Sequence, residues 1–242
     1  IMNNSYEKLI SNYESTKKIN FIRQNGSFKK SLLELLNEIK KETSKELDLL
    51  FFVDDQILFE EVKIDSLKKL SRLAPISTLR IGLNTEWSYN LNKKQNLKAY
   101  KYIVKENCIF WYPKFRRDDI SYVFSFDGST IPLGLFEKFS KYLYYRGPNS
   151  LETSMNYGDI IYKILKQKVS SFYGQKVINI VISKVQNETD NRGSFININK
   201  LNDLFIKNWE LKLNYKKINI FNSPHLENGY YLQKKNKKIF FN

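Results

Sequence analysis

Residues 47–53 read LDLLFFV, an almost unbroken apolar run that stops at two adjacent acids, Asp54 and Asp55. A short apolar stretch without alternation suits a strand covered on both faces, as in a mainly parallel sheet flanked by helices. Helical and extended patterns alternate around it. From Ser27, a residue type that caps helices, Phe28, Leu32, Leu35, Leu36 and Ile39 follow the helix period to about Lys41. Further helices are predicted over 6–16, 65–73, 133–145, 150–167 and 200–209, and strands over 19–22, 76–83, 108–112, 121–126 and 177–183. That alternation predicts the α/β class, with a mixed, mostly parallel sheet.

Glycine (9) and proline (5) are few among 242 residues, and neither a Ser/Gly linker nor a solenoid repeat divides the chain. A single domain over 1–242 is expected, closing in a basic-aromatic tail over 230–242. Hydrophobic residues make up 42%, but no apolar run approaches the ~18 residues of a membrane span. One cysteine, Cys108, and one histidine, His225, exclude a zinc cluster and an internal disulfide. With no secretory leader pattern, a reducing, cytoplasmic setting is expected. Forty basic against 25 acidic residues leave a net charge of +15, which draws polyanions: nucleic acid, an anionic membrane face or a phosphorylated small molecule.

The acids fall at strand ends, where open α/β sheets bind their ligands. Asp54 and Asp55 repel each other, a cost a divalent cation offsets; a plain turn explains them too. Asp127-Gly128 ends the predicted strand 121–126, either beside a ligand that the glycine lets approach or as a hairpin turn. Asn149 and Glu152 have capping-box spacing, and a carboxylate at such a helix start also suits a general base. His225 is either structural or a metal ligand, and in extended chain it shares a face with Glu227. Gln186 and Asn187 are turn formers or ligand hydrogen-bonders. Arg80, inside an apolar strand, requires a partner: Asp54, Asp55 or a ligand phosphate.

In order along the chain, FFVDDQILF (51–59), TLRIGLN (78–84), FSFDG (124–128), GPNSLE (147–152), KVQN (184–187), LNDLFIKNWEL (201–211) and NSPHLEN (222–228) resemble a group of bacterial and viral glycosyltransferases of the GT-A, Rossmann-like fold. The resemblance spans roughly residues 20–230. It implies a nucleotide-sugar donor, a glycan or lipid-linked saccharide acceptor, and Mn²⁺ or Mg²⁺ at DxD-type carboxylates. By position, Asp54, Asp55 and His225 match the metal ligands of such enzymes. Asp127 and Gly128 match the wall of the sugar and acceptor pocket, and Glu152 matches the catalytic base. Arg80, Asn84, Gly128, Gln186 and Asn187 match donor-contacting segments.

Two departures stand out. Gln56 makes the motif Asp-Asp-Gln instead of Asp-x-Asp. These enzymes also open with a nucleotide-binding strand, whereas Ile1-Met2-Asn3-Asn4 leads into a predicted helix, so the resemblance implies that this strand is missing or replaced. For a glycosyltransferase, the basic tail suits peripheral contact with a membrane or a lipid-linked acceptor. Two rival readings are a nucleic-acid-binding protein, from the basic-aromatic segments KYLYYR and YYLQKKNKKIFF, and a metal-dependent phosphodiesterase, from the acidic pairs. Nucleic acid is the less favoured partner, because a core or snorkelling face accounts for the same aromatics.

Overall fold

The computed structural model describes residues 7, 10, 11, 13, 19–43, 46–89, 91–114, 118–157, 168–182, 196–214, 222–226 and 230–240. In chain order the first half contains α1 (Phe28–Glu42), β1 (Asp48–Leu50), β2 (Gln56–Leu58), α2 (Ile64–Leu73), β3 (Ile76–Thr78), β4 (Trp87–Ser88), β5 (Lys93–Lys94), a 3₁₀ turn (Leu97–Tyr100), β6 (Ile103–Lys105) and β7 (Cys108–Trp111). The second half contains β8 (Ser129–Pro132), α3 (Leu133–Tyr142), α4 (Pro148–Tyr157), β9 (Val169–Phe172), β10 (Val177–Ile180), α5 (Ile198–Ile206), β11 (Glu210–Leu213), β12 (His225–Leu226), β13 (Tyr230–Lys234) and β14 (Lys237–Phe240).

This is a mixed α/β architecture. A six-stranded sheet runs β1-β8-β3-β9-β7-β6, and a three-stranded sheet runs β12-β10-β2. A second three-stranded sheet, β11-β13-β14, holds the basic C-terminal segment as a hairpin. Among the described residues, β3–β9 and β10–β12 are parallel and the other pairings are antiparallel. The mixed α/β class therefore holds, while the expected predominance of parallel pairs does not.

The reason is visible at residues 47–53. Asp48, Leu50 and Phe52 face solvent while Leu49, Phe51 and Val53 turn inward, which is the alternation of a strand with one covered face. β1 pairs antiparallel with β8 at one edge of the large sheet. Phe51 meets Phe124, Phe126 and Phe136 with ring centroids 5.5, 5.1 and 4.8 Å away. These rings belong to the main core, alongside Ile76, Ile109, Trp111, Ile131 and Leu151.

α1 forms as its spacing predicts. The Ser27 hydroxyl accepts the Lys30 N–H at 3.2 Å, a cap typically worth ~1 kcal/mol. Its buried Leu36 joins the core, and Lys40 reaches the Glu137 carboxylate of α3 at 2.6 Å. Lys141 binds the other Glu137 oxygen at 2.6 Å, and these two bonds hold that carboxyl below its usual range.

Other expectations need correction. Residues 19–22 form no strand, and Ile19, Phe21 and Ile22 are exposed. Residues 121–126 are not a strand either, although Val123 and Phe124 are buried. The strand over 76–83 stops at Thr78, and β9 went unanticipated. Of the helix over 6–16, Glu7, Ile10, Ser11 and Tyr13 are helical and the rest lies outside the described residues, as do 158–167. Among the described residues, no helix is long and apolar enough to cross a membrane.

Candidate functional site

Asp54 and Asp55 occupy the centre of a β-turn closed by the Gln56 N–H donating to the Val53 carbonyl at 3.2 Å, and this turn redirects the chain from β1 into β2. Asp54 projects into solvent. The Asp55 carbonyl accepts the Ile180 N–H at 2.8 Å, and its carboxylate lies 3.5 Å from the Asn179 side-chain amide. Asp55 as a residue is exposed, but lost hydration around its carboxyl, then the charges of Asp127 and Asp54, push that carboxyl up to about 7.

The small sheet places three polar side chains in one row. Asn179, at the centre, is paired with Gln56 on one side and His225 on the other, so all three share a face at the ~4.8 Å spacing of neighbouring strands. Among the described residues, Gln56 Oε1 and Nε2, Asn179 Oδ1 and His225 Nδ1 are buried without a hydrogen-bond partner. Each such group costs ~1–3 kcal/mol when left unmade. A row of them is an unusual expense for a fold to carry without a ligand or ordered water to meet it.

Gly128 brings a backbone turn against this row. Its φ is +84°, and its N–H donates to the Phe51 and Phe126 carbonyls at 3.0 Å each. A Cβ there would stand 2.8 Å from Val177 Cγ2 and 3.1 Å from Gln56 Nε2. Glycine is required both by the left-handed conformation and by the space. The turn thus fixes Asp127, whose Oδ2 lies 3.9 Å from His225 Nε2. The His225 ring also faces the Tyr89 ring at 5.7 Å. Burial lowers the His225 pKa against the opposing pull of Asp119 and Asp127, with Arg80 adding to the lowering, so the imidazole is neutral at pH 7.

Glu152 closes the cluster. It does not cap its own helix; the Ser150 hydroxyl takes that place, accepting the Arg146 and Gly147 N–H groups at 3.0 and 2.9 Å. Instead, Glu152 Oε1 accepts the Phe126 N–H at 2.5 Å and the Ser125 hydroxyl at 3.0 Å, and Oε2 accepts the Tyr122 hydroxyl at 3.1 Å. Burial first, and Asp127 next, raise its carboxyl to about 7 against the lowering effects of Phe126, Arg80 and Ser125. Two carboxyls, Asp55 and Glu152, are therefore poised near neutrality around one shared neighbour, Asp127.

Arg80 departs from expectation. It is buried, its guanidinium donating to the Asp119 and Tyr122 carbonyls at 3.4 and 3.2 Å and lying 3.9 Å from the Asp119 carboxylate. It pairs with neither Asp54 nor Asp55, and its ring partner is Tyr122 at 5.6 Å. Asn84 also serves the fold, accepting the Gln175 N–H at 3.0 Å. Gln186, Asn187 and Glu227 lie outside the described residues. Among the described residues no group of three or more His, Cys, Asp and Glu side chains could hold a metal ion, so Asp54, Asp55 and His225 do not form a ready-made set.

The structure brings Asp55, Asp127, Gly128, Glu152 and His225 together from four separate segments. It adds Asn179, Tyr89 and Tyr122, which the sequence reading passed over, and Gln56, which that reading named only as a departure from the Asp-x-Asp motif. Asn179 left a trace in the sequence as the lone amide in the apolar stretch VINIVI (177–182). Comparison of the chain with protein-family models, with curated proteins and with solved structures finds no match.

Proposed function

We propose that this chain is a GT-A-like glycosyltransferase domain, moving a sugar from a nucleotide-sugar donor to a hydroxyl of a glycan or lipid-linked saccharide. The observation that carries the reading is the row of unpartnered Gln56, Asn179 and His225 atoms beside the Asp55, Asp127 and Glu152 carboxylates. Alternating donors and acceptors at strand spacing suit a polyhydroxylated ligand, whose every hydroxyl both gives and takes a hydrogen bond. Neutral His225 completes the row as one donor and one acceptor.

In this reading Glu152 is the base. Its carboxyl titrates near 7, where a general base is both substantially ionised and still basic enough to take a proton. The acceptor hydroxyl gives its proton to Glu152 as its oxygen bonds to the anomeric carbon and the bond to the departing diphosphate oxygen breaks. Tyr122, Ser125 and the Phe126 N–H hold the carboxylate in place by three donated bonds.

The donor set also suits a divalent cation such as Mn²⁺ or Mg²⁺. Asp55 and Asp127 supply hard carboxylate oxygens that repel each other, and Asn179 Oδ1 and Gln56 Oε1 are amide oxygens without partners. Asp54 at the rim adds negative charge. A bound cation would supply charge neutralisation for the departing diphosphate. The basic hairpin at 230–240 accords with peripheral membrane contact near a lipid-linked acceptor.

Incubating the protein with Mn²⁺ and a panel of nucleotide sugars should release a nucleoside diphosphate from one of them. Glu152→Gln should slow transfer to an added acceptor by ~10²- to 10⁴-fold while the protein stays folded. Metal-dependent cleavage of RNA or DNA with no nucleoside diphosphate released would replace this reading with the phosphodiesterase one.

A further inference from the structure

A cavity of about 730 Å³ opens beyond the far end of β2 and shares no residue with the acidic cluster. Three segments wall it: one face of α2, the turn between β6 and β7, and the chain from β9 into β10. Its character is opposite to that of the acidic site. Lys63, Lys69, Arg72, Lys105 and Lys176 line it against only two acids, Glu61 and Glu106.

The basic groups are largely uncommitted. Among the described residues Lys63, Lys69, Arg72 and Lys105 form no ion pair, while Lys176 binds Glu60 and lies 5.7 Å from the Phe172 ring centroid. Lys69 and Glu106 both act on the buried Cys108 thiol beneath the cavity: burial and Glu106 push it up, and Lys69 opposes them. Several unpaired cations around one concavity repel each other, and an anion relieves that repulsion.

The walls are rigid. Glu106 and Asn107 both take left-handed conformations, φ +51° and +63°, in the two-residue turn of the β6–β7 hairpin. The Tyr173 N–H donates to the Asn107 carbonyl at 2.8 Å, tying that turn to the opposite wall. Phe172 and Tyr173 furnish flat apolar surface, and Tyr173 is 53% exposed despite its size. The volume falls within the ~300–1,000 Å³ of small-molecule sites and exceeds what a lone phosphate fills.

We propose that this cavity binds a phosphorylated small molecule carrying a flat ring, with the phosphate among Lys63, Lys69, Arg72 and Lys105 and the ring against Tyr173. Arginine and lysine pair with phosphate through charge-assisted bonds, and the exposed tyrosine face supplies stacking area. The assignment is independent of the glycosyl-transfer reading, because it needs neither the acidic cluster nor a metal ion.

Titration calorimetry in EDTA, with pyrophosphate and a nucleoside monophosphate as separate probes, tests it. Both should bind the native chain, and equally well the Asp55→Asn, Asp127→Asn variant, which removes two of the acidic cluster's carboxylates. Lys69→Glu with Arg72→Glu should weaken both probes by at least about tenfold. Lys237→Glu with Lys238→Glu, an equal charge change on the β13–β14 hairpin, which does not line the cavity, should alter affinity by less than about twofold. Tyr173→Ala should weaken the nucleoside monophosphate and spare pyrophosphate. All substituted positions on the cavity wall are exposed, and a thermal melt of each variant verifies its folding. Equal losses from the two charge-reversal pairs, loss of binding in the Asp55→Asn, Asp127→Asn variant, or no binding of either probe at millimolar concentration would overturn the proposal.

Discussion

Glu152 and Asp55 are two carboxyls that the fold pushes up to the neutral range. Each carboxyl, raised from 4.5 and 3.8 respectively to about 7, binds its proton more tightly in the folded than in the unfolded chain. Between pH 4.5 and 7 the folded state therefore holds more protons, and stability falls as pH rises through that window. Glu152→Gln removes its share of the slope, because the amide keeps an oxygen for the Phe126 N–H and Ser125 while its NH₂ faces Tyr122. The variant should be more stable than the native chain at pH 8, by on the order of 2 kcal/mol, and equal to it near pH 4. Urea midpoints at the two pH values measure this, and a pH-independent difference would contradict it. Catalysis should show the opposite trend, with kcat/KM rising through pH 7 as Glu152 ionises. At this scale Asp55, Asp127, Glu152 and His225 were legible in the sequence because acids at strand ends and a lone histidine stand out. Gln56 and Asn179 were not, because an amide carries no chemical signature until a register places it beside another.

β1 shows what separates a sequence pattern from its environment. LDLLFFV has apolar residues on both faces, but Leu50 and Phe52 remain 38% and 46% exposed because only the opposite face, that of Leu49 and Phe51, packs on the core. Composition reports what a face could bury, and only what packs on that face decides whether it does. The segment 121–126 makes the complementary point: its buried side chains pack like a strand's, while its polar backbone is met by side chains. Asn156 accepts the Phe124 N–H at 3.1 Å and donates to the Phe124 carbonyl at 2.6 Å. Asn156→Ala should therefore cost about 2 kcal/mol or more, by orphaning both backbone groups, and denaturant unfolding measures it. Backbone contact is tighter still at Gly82, where a Cβ would stand 2.3 Å from the Gln175 nitrogen and 2.6 Å from the Gly174 carbonyl carbon. Gly82→Ala should destabilise by at least ~2 kcal/mol, because backbone cannot swing aside as a side chain can. An unchanged melting temperature would mean that the 82–84 and 173–175 segments are not packed as described.

Across the whole molecule, charge is separated by site. The chain carries a net charge of +15, yet Asp54, Asp55, Asp127 and Glu152 gather in one cluster; in the proposed reading the overall charge would attract anionic donors that these acids cannot hold unaided. In the proposed reading a bound divalent cation would relieve that conflict, supplying positive charge to offset Asp55 and Asp127. Overall charge and the mixed α/β class were readable from composition and alternation, whereas the antiparallel majority was not, because strand direction depends on connections that local patterns do not encode. The central claim is that the acidic cluster binds metal and nucleotide together. The direct measurement is thermal unfolding with Mn²⁺ and each nucleoside diphosphate in turn, made on the Lys69→Glu, Arg72→Glu chain so that the separate basic cavity contributes nothing, beside the same chain carrying Asp54→Asn and Asp55→Asn. A ligand at about 100 times its dissociation constant adds ~2.7 kcal/mol, or roughly 5–10 °C for a chain of this size. The account predicts such a rise with one nucleotide, only when Mn²⁺ is present, and none in the variant. A rise that needs no metal, or one that survives both substitutions, would contradict it.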